Sequence, residues 1–143
     1  MYNPIMERRE ELVRLCKKYQ VDILYSFGSR AKEIYRFLER TSATSLSGSS
    51  DADIGILVKT PLSVDDKVSL VIDLEDFFQV GRVDLVSLAE ADPFLAANIV
   101  RGELLYARDQ YEADEYELYI LRRAGDLAPL ERERMDLILR EGK

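Results

Sequence analysis

Apolar residues along the chain follow two spacings in turn, one typical of helices and one typical of strands. In residues 4–19 they recur every three or four positions between charged residues, which predicts an amphipathic helix that begins at Pro4. Residues 21–27 form a short apolar run that ends at Gly28, as a strand followed by a turn would. Over the whole sequence the pattern predicts helices at 4–19, 30–40, 63–79, 93–101, 111–123 and 130–141. Strands are predicted at 21–27, 52–59, 82–88 and 104–108.

Local signals mark the boundaries of these elements. Ser63 with Asp66 three residues later resembles a capping box at the start of the third helix. Gly125 and Pro129 are expected to separate the last two helices. Residues 41–50 are small and polar, which predicts a mobile loop. The residues predicted to face inward on the third helix are Val64, Val68, Val71, Ile72 and Phe78.

The length of the chain bounds its organisation. With 143 residues it has room for one hydrophobic core, and it shows no internal repeat and no linker. We expect a single domain over residues 1–143, with a core at about 1–109 and a helical tail at 110–143.

The charge balance narrows the class of ligand. Twenty Lys and Arg residues stand against 27 Asp and Glu residues, which gives a formal net charge of −7. Such a surface repels nucleic acid, so we expect no direct binding of DNA or RNA through phosphate neutralisation. A basic protein or a metal-complexed nucleotide is the more suitable partner.

Several kinds of chemistry lack the residues they need. The sequence has no His, which removes Ser-His and Cys-His catalysis and most zinc sites. The single Cys16 cannot form an internal disulfide and is expected to be a small buried side chain on the first helix. No apolar run approaches the roughly 20 residues of a membrane helix, and the start of the chain does not resemble a signal peptide. We therefore expect a cytoplasmic protein that does not enter a membrane.

Two aspartates stand at the head of the second predicted strand. Asp51 and Asp53 are one residue apart, so their side chains point to the same face, while Ala52 and Ile54 point to the other face and into the core. Paired carboxylates repel each other unless a cation lies between them. Mg²⁺ prefers oxygen ligands and is typically bound by one or two carboxylates together with substrate phosphates. The pair therefore indicates a site for a metal-complexed triphosphate.

Each of these features has a simpler interpretation when it is taken alone. Gly28 with Ser29 is often an ordinary turn between a strand and a helix, and a lone aspartate is often a solvated strand end. Asp84 lies inside an apolar run, where an acid is intrinsically disfavoured, which favours a functional role. Arg101, before Gly102, is expected to stabilise a helix C-terminus, with a substrate role left open.

The order of these pieces resembles the minimal nucleotidyltransferases of the DNA polymerase beta superfamily, in particular the antitoxins of the HEPN/MNT type. Residues 24–31 and 50–58 carry that family's motif of Gly-Ser, a spacer and Asp-x-Asp. Residues 82–86 and 99–106 add further matches, and residues 121–130 resemble the helical end of the antitoxin branch. The resemblance implies an α/β (α+β) fold of the polymerase beta-like type. It has a mixed sheet of about four strands flanked by helices, with a C-terminal helical extension.

The resemblance also implies roles for the motif residues. Gly28, Ser29 and Arg30 would seat the triphosphate of ATP, the substrate. Two Mg²⁺ ions would be held by the catalytic carboxylates, which are Asp51, Asp53 and Asp84. The implied reaction places AMP on a hydroxyl, expected to be a tyrosine, of a cognate HEPN ribonuclease toxin.

Two alternatives from other classes stay open. One is nucleotidyl transfer to a small molecule, and the other is an antitoxin that only binds its toxin and carries a vestigial site. The 21 residues between Ser29 and Asp51 exceed the family's usual spacer, and we expect them to form a longer helix and a loop. Tyr111, Tyr116 and Tyr119 are expected to pack the tail on the core or to form a partner-binding face. Association of the chain with itself is also left open.

Overall fold

The computed structural model describes residues 4–39 and 51–141. The helices are α1 (Pro4–Lys18), α2 (Ala31–Glu39), α3 (Val64–Phe78), α4 (Pro93–Val100) and α5 (Gln110–Glu141), with a 3₁₀ turn at Leu88–Glu90. The strands are β1 (Val21–Phe27), β2 (Ala52–Val58), β3 (Val83–Ser87) and β4 (Glu103–Ala107). All four strands and the first four helices lie within one residue of the predicted bounds. The predicted end of the second helix at Arg40 and the predicted loop over 41–50 lie outside the described part of the chain.

The four strands form one mixed sheet in the order β3-β2-β1-β4. β1 pairs with β2 and with β4 in the antiparallel sense, whereas β2 and β3 are parallel. This confirms the predicted fold class, in which helices flank a mixed sheet of four strands and a helical extension follows.

The core lies in two layers, one on each face of the sheet. Successive residues of a strand point to opposite faces, so Leu24 belongs to the layer formed with α1, α2 and α3, while its neighbours Ile23 and Tyr25 belong to the layer formed with α4 and α5. Cys16 belongs to the first layer and is 1% exposed, and burial raises the pKa of its thiol to about 12. The prediction that this cysteine is a buried structural side chain is confirmed.

Side-chain caps fix the starts of two helices. The Ser63 hydroxyl accepts a hydrogen bond from the Asp66 N–H at 3.1 Å, as the predicted cap requires. Asp92 caps α4 by accepting from the N–H groups of Phe94 and Leu95, at 2.9 and 3.0 Å.

The predicted inward face of α3 is largely wrong. Phe78 is buried and Val71 is half-buried, but Val64, Val68 and Ile72 are 77%, 53% and 51% exposed. At 3.6 residues per turn the helix carries two apolar faces, and the face that packs on the sheet is the one with larger side chains. Its buried residues are Leu70, Leu74, Phe77 and Phe78.

The chain end forms one helix instead of the two that were predicted. A glycine inside a helix costs only about 1 kcal/mol relative to alanine, so Gly125 does not stop α5. A proline ring opposes the carbonyl four residues earlier, which here belongs to Gly125. Both residues are exposed, so water can replace the hydrogen bond that Pro129 cannot donate.

One of the three predicted tyrosines of α5 packs on the core, and a partner-binding role for the other two stays a prediction. Tyr116 packs against the core layer beneath α5, whereas Tyr111 and Tyr119 are 71% and 55% exposed.

Among the helices in the described ranges, none combines the length and the apolar character that a bilayer span requires.

Gly55 in β2 sets the distance between the sheet and α4. A Cβ atom there would lie 2.5 Å from Cγ2 of Ile99, which is fully buried. We expect Gly55→Ala to lower the free energy of unfolding by about 1–3 kcal/mol, because a packed core must shift to admit the methyl group. Urea denaturation measures the change. Gly81→Ala is the matched control, since a Cβ there meets nothing within 4 Å. Equal stability of the two variants would contradict this account of the packing.

Candidate active site

The site begins at the turn that follows β1. Gly28 has a φ of +77°, a conformation that side chains rarely adopt, and a Cβ there would lie 2.5 Å from Oδ2 of Asp53. Glycine is therefore required both by the backbone and by the carboxylate beside it. The Ser26 hydroxyl donates to the Ala31 carbonyl at 3.0 Å, which ties the end of β1 to the start of α2. Ser29 is exposed between them, next to the first turn of the helix.

Strand pairing brings the three predicted carboxylates together. Asp53 is the register partner of Asp84 on the parallel strand β3 and of Phe27 on the antiparallel strand β1. Asp51 precedes β2 and lies two residues from Asp53, while Ala52 between them is fully buried on the other face. The predicted alternation of this strand is confirmed, and residues far apart in sequence meet at one corner of the sheet.

The three carboxylates of the corner affect one another's ionisation. Burial raises the pKa of the Asp53 carboxyl above its ordinary value, and the negative charges of Asp84 and Asp51 raise it further, as does a hydrogen bond with the Asp84 side chain. An added cation would relieve this repulsion. The donor set consists of hard oxygen ligands, so its chemistry fits a divalent ion such as Mg²⁺. Within the described residues, no group of three or more acidic or cysteine side chains is arranged as a metal site, so substrate phosphates would have to supply further ligands.

Arg82 is a member of this corner that the sequence analysis gave no role. Its Nε atom lies 3.0 Å from Oδ1 of Asp84 and 3.9 Å from Oδ2 of Asp51. The signal was present in the sequence, because a residue two positions before Asp84 on an extended chain points to the same face.

The side chain of Arg30, which was expected to contact the triphosphate, pairs with an acid in the first turn of α2. Its side chain is only 6% exposed, and Nε donates to Glu33 at 3.2 Å while a terminal nitrogen donates to the other oxygen of the same carboxylate. This bidentate pair supports the first turn of α2. A contact between Arg30 and phosphate stays a prediction.

The end of α4 approaches the same corner. Arg101 is the C-cap of α4 and is exposed, which agrees with its interpretation as a helix C-terminal cation. A Cβ on Gly102 would lie 2.2 Å from the Ser26 carbonyl oxygen. Gly102 lies in the matching stretch 99–106, but its close approach to β1 was not predicted from the sequence.

Comparisons with known proteins agree on the fold. The family described as Polymerase beta, Nucleotidyltransferase matches residues 10–111. A crystal structure of a toxin–antitoxin with AMP-PNP is 19% identical, with a TM-score of 0.69, and the match covers 92% of this chain and 98% of that chain. A tri-AMPylated Shewanella oneidensis HEPN toxin in complex with MNT antitoxin gives 17% identity and a TM-score of 0.66, over 94% and 98% of the two chains.

A third structure, of a putative minimal nucleotidyltransferase, is 26% identical with a TM-score of 0.51, and the match covers 68% of this chain and 88% of that chain. A search of the curated proteins finds no match. Because most of these identities are low, the structural matches establish the fold and leave the roles of individual residues to the geometry.

The crowding of carboxylates predicts a pH-dependent stability. Since the pKa of Asp53 is raised in the folded protein, its contribution to stability falls as pH rises through and above the ordinary carboxyl range near pH 4. We expect Asp53→Asn to raise the melting temperature at pH 7 in a buffer with chelator, and the gain to shrink below about pH 4. Thermal melts at several pH values measure it. Asp76→Asn makes the same change in net charge at an exposed position of α3, and an equal gain there would contradict the prediction.

Proposed function

The chain belongs to the polymerase beta nucleotidyltransferase family, and we propose that it transfers AMP from ATP to a hydroxyl group of a HEPN-domain toxin and so acts as an antitoxin. The observation that carries the proposal is the meeting of Asp51, Asp53 and Asp84 beside Gly28. Two of the structural relatives support the acceptor and the substrate, since one contains an AMPylated HEPN toxin and the other contains an ATP analogue.

The corner offers the groups that nucleotidyl transfer needs. Ser29 and the N–H groups of the first turn of α2 would donate hydrogen bonds to the phosphates of ATP. Asp51, Asp53 and Asp84 would hold two Mg²⁺ ions. Bound Mg²⁺ would offset the phosphate charge and favour attack at the α-phosphorus.

The proposed transfer exchanges one bond to the α-phosphorus for another. The acceptor oxygen, proposed to belong to a tyrosine, forms a bond to the α-phosphorus of ATP, and the bond from that phosphorus to the departing pyrophosphate breaks. Asp84 is proposed to take the proton of the acceptor hydroxyl, since a carboxylate placed at the reacting atoms can serve as a general base. Without metal, the Arg82 guanidinium donates a hydrogen bond to that carboxylate at 3.0 Å.

The net charge of −7 supports a protein partner with a basic surface. It does not favour nucleic acid, because phosphates would be repelled. A binding-only antitoxin is the second candidate, favoured by the exposed apolar residues on the distal part of α5, such as Leu130 and Leu137.

The catalytic proposal is tested by the double variant Asp51→Asn/Asp53→Asn and by Asp84→Asn. We expect each to lower the rate of label transfer from α-³²P-ATP to a purified HEPN toxin by at least about 100-fold, because the oxygen ligands lose their charge. The double variant should still form the complex in size-exclusion chromatography. Asp76→Asn, which changes an exposed acid on α3, should transfer label at the wild-type rate.

Two results would decide against this proposal. Label transfer that persists in the double variant would exclude the carboxylates as the active site. Neutralisation of the toxin by the double variant, without label transfer and with the complex intact, would instead support the binding-only antitoxin.

The phosphate seat is tested separately at Ser29. Removal of one hydroxyl donor by Ser29→Ala should weaken ATP binding by about 2- to 12-fold, the range that a net hydrogen bond contributes. Titration calorimetry with ATP and Mg²⁺ measures it. Ser69→Ala, at an exposed position of α3, is the control, and the same affinity in both variants would remove Ser29 from the seat.

A further inference from the structure

The backbone of Arg82 is fixed beside the carboxylates, although its side chain is exposed. The Arg82 carbonyl accepts a hydrogen bond from the N–H of Ala52, the residue between Asp51 and Asp53, at 3.0 Å. The next residue, Val83, donates its N–H to the Glu75 carboxylate at 3.0 Å. The backbone at Arg82 is therefore held at the point where β3 begins to pair with β2.

From this position the guanidinium reaches two of the three carboxylates. It donates to Asp84 and lies 3.9 Å from Asp51, while Asp53, the register partner of Asp84, lies beside both acids. A positive charge thus contacts the same oxygen ligands that the proposed function assigns to Mg²⁺. A carboxylate oxygen that accepts from a guanidinium has fewer lone pairs available for a metal ion.

We propose that Arg82 acts as an internal counter-ion that competes with a divalent ion for Asp51 and Asp84. The inference rests on the proposed function, since it concerns the same carboxylates. Arg82 neutralises part of the repulsion in the free protein and leaves these carboxylates when the metal binds. The competition lowers the affinity for free metal. It favours a metal that arrives with nucleotide, because the phosphates supply additional ligands.

The competition is of limited size. The Arg82 side chain is 68% exposed, so solvent screens its attraction to the carboxylates. Exposed ion pairs correspond to a few-fold change in an equilibrium constant, and we expect the effect of Arg82 to be about two- to five-fold. A role in which Arg82 only holds Asp84 in place has the opposite sign, because loss of the arginine would then weaken metal binding.

The test measures binding of Mn²⁺ alone, without nucleotide, by electron paramagnetic resonance of the free ion. Arg82→Ala should bind Mn²⁺ about two- to five-fold more tightly than the wild type. Its melting temperature in chelator should be lower than that of the wild type, and the increase on addition of Mn²⁺ should be larger. Arg134→Ala is the matched control, since Arg134 is an exposed arginine paired with one acid, Glu131, on α5. Its affinity for Mn²⁺ should equal that of the wild type.

Arg82→Lys separates contact from charge. Lysine keeps the positive charge and lacks the Nε atom that donates to Asp84 and lies 3.9 Å from Asp51, so we expect its Mn²⁺ affinity to lie between those of the wild type and Arg82→Ala. Mn²⁺ affinity in Arg82→Ala that is equal to or weaker than the wild-type value, or undetectable in both proteins, would overturn the proposal.

A second pair of measurements distinguishes this failure from failure of the proposed function. If Asp51→Asn/Asp53→Asn loses Mn²⁺ binding while Arg82→Ala leaves it unchanged, the carboxylate site stands and only the role of Arg82 is wrong. If the double variant binds Mn²⁺ as the wild type does, the metal site of the proposed function is wrong, and the inference about Arg82 falls with it.

Discussion

The pairing register of β2 is the constraint on which the site depends. Asp53 is held opposite Phe27 on one side and opposite Asp84 on the other. A slip by one residue would turn Asp53 into the core layer beneath α3 and would expose Ile54, which is fully buried. The free energy of burying the apolar face of β2 therefore also holds the carboxylates together against their mutual repulsion. Stability and function are linked through one set of backbone hydrogen bonds.

Much of the fold could be predicted because local signals and global packing agree. The strands are short apolar runs bounded by turns, and the sequence places each of them within one residue. The face of α3 could not be predicted in the same way, because valines and isoleucine on one side compete with leucines and phenylalanines on the other. Only the space beneath the helix decides between them, and the ring of Phe37 fills it beside Phe77, with centroids 6.0 Å apart.

The candidate site also contains features that could be predicted from the sequence and features that could not. Strand alternation predicted that Asp51 and Asp53 share a face, and the family resemblance added Asp84 and Gly28, which the fold places at the same corner. Their roles stay predictions. The partners of the arginines could not be predicted. Arg30 lies in the Gly-Ser motif, but its side chain is buried and pairs with Glu33. Arg82 lies outside that motif and pairs with Asp51 and Asp84. Which acid a long side chain meets is a property of the assembled sheet.

The exposure of the carboxylates bears on the kind of acceptor that the site can use. The side chains of Asp51 and Asp84 are 43% and 39% exposed, so the corner faces solvent. Small-molecule sites usually enclose most of their ligand in a cleft, which excludes water before the chemistry begins. An open corner instead leaves that exclusion to the acceptor, and a protein that docks over it can provide both the hydroxyl and the dry environment. This openness supports the proposed protein acceptor over the small molecule that the sequence left open.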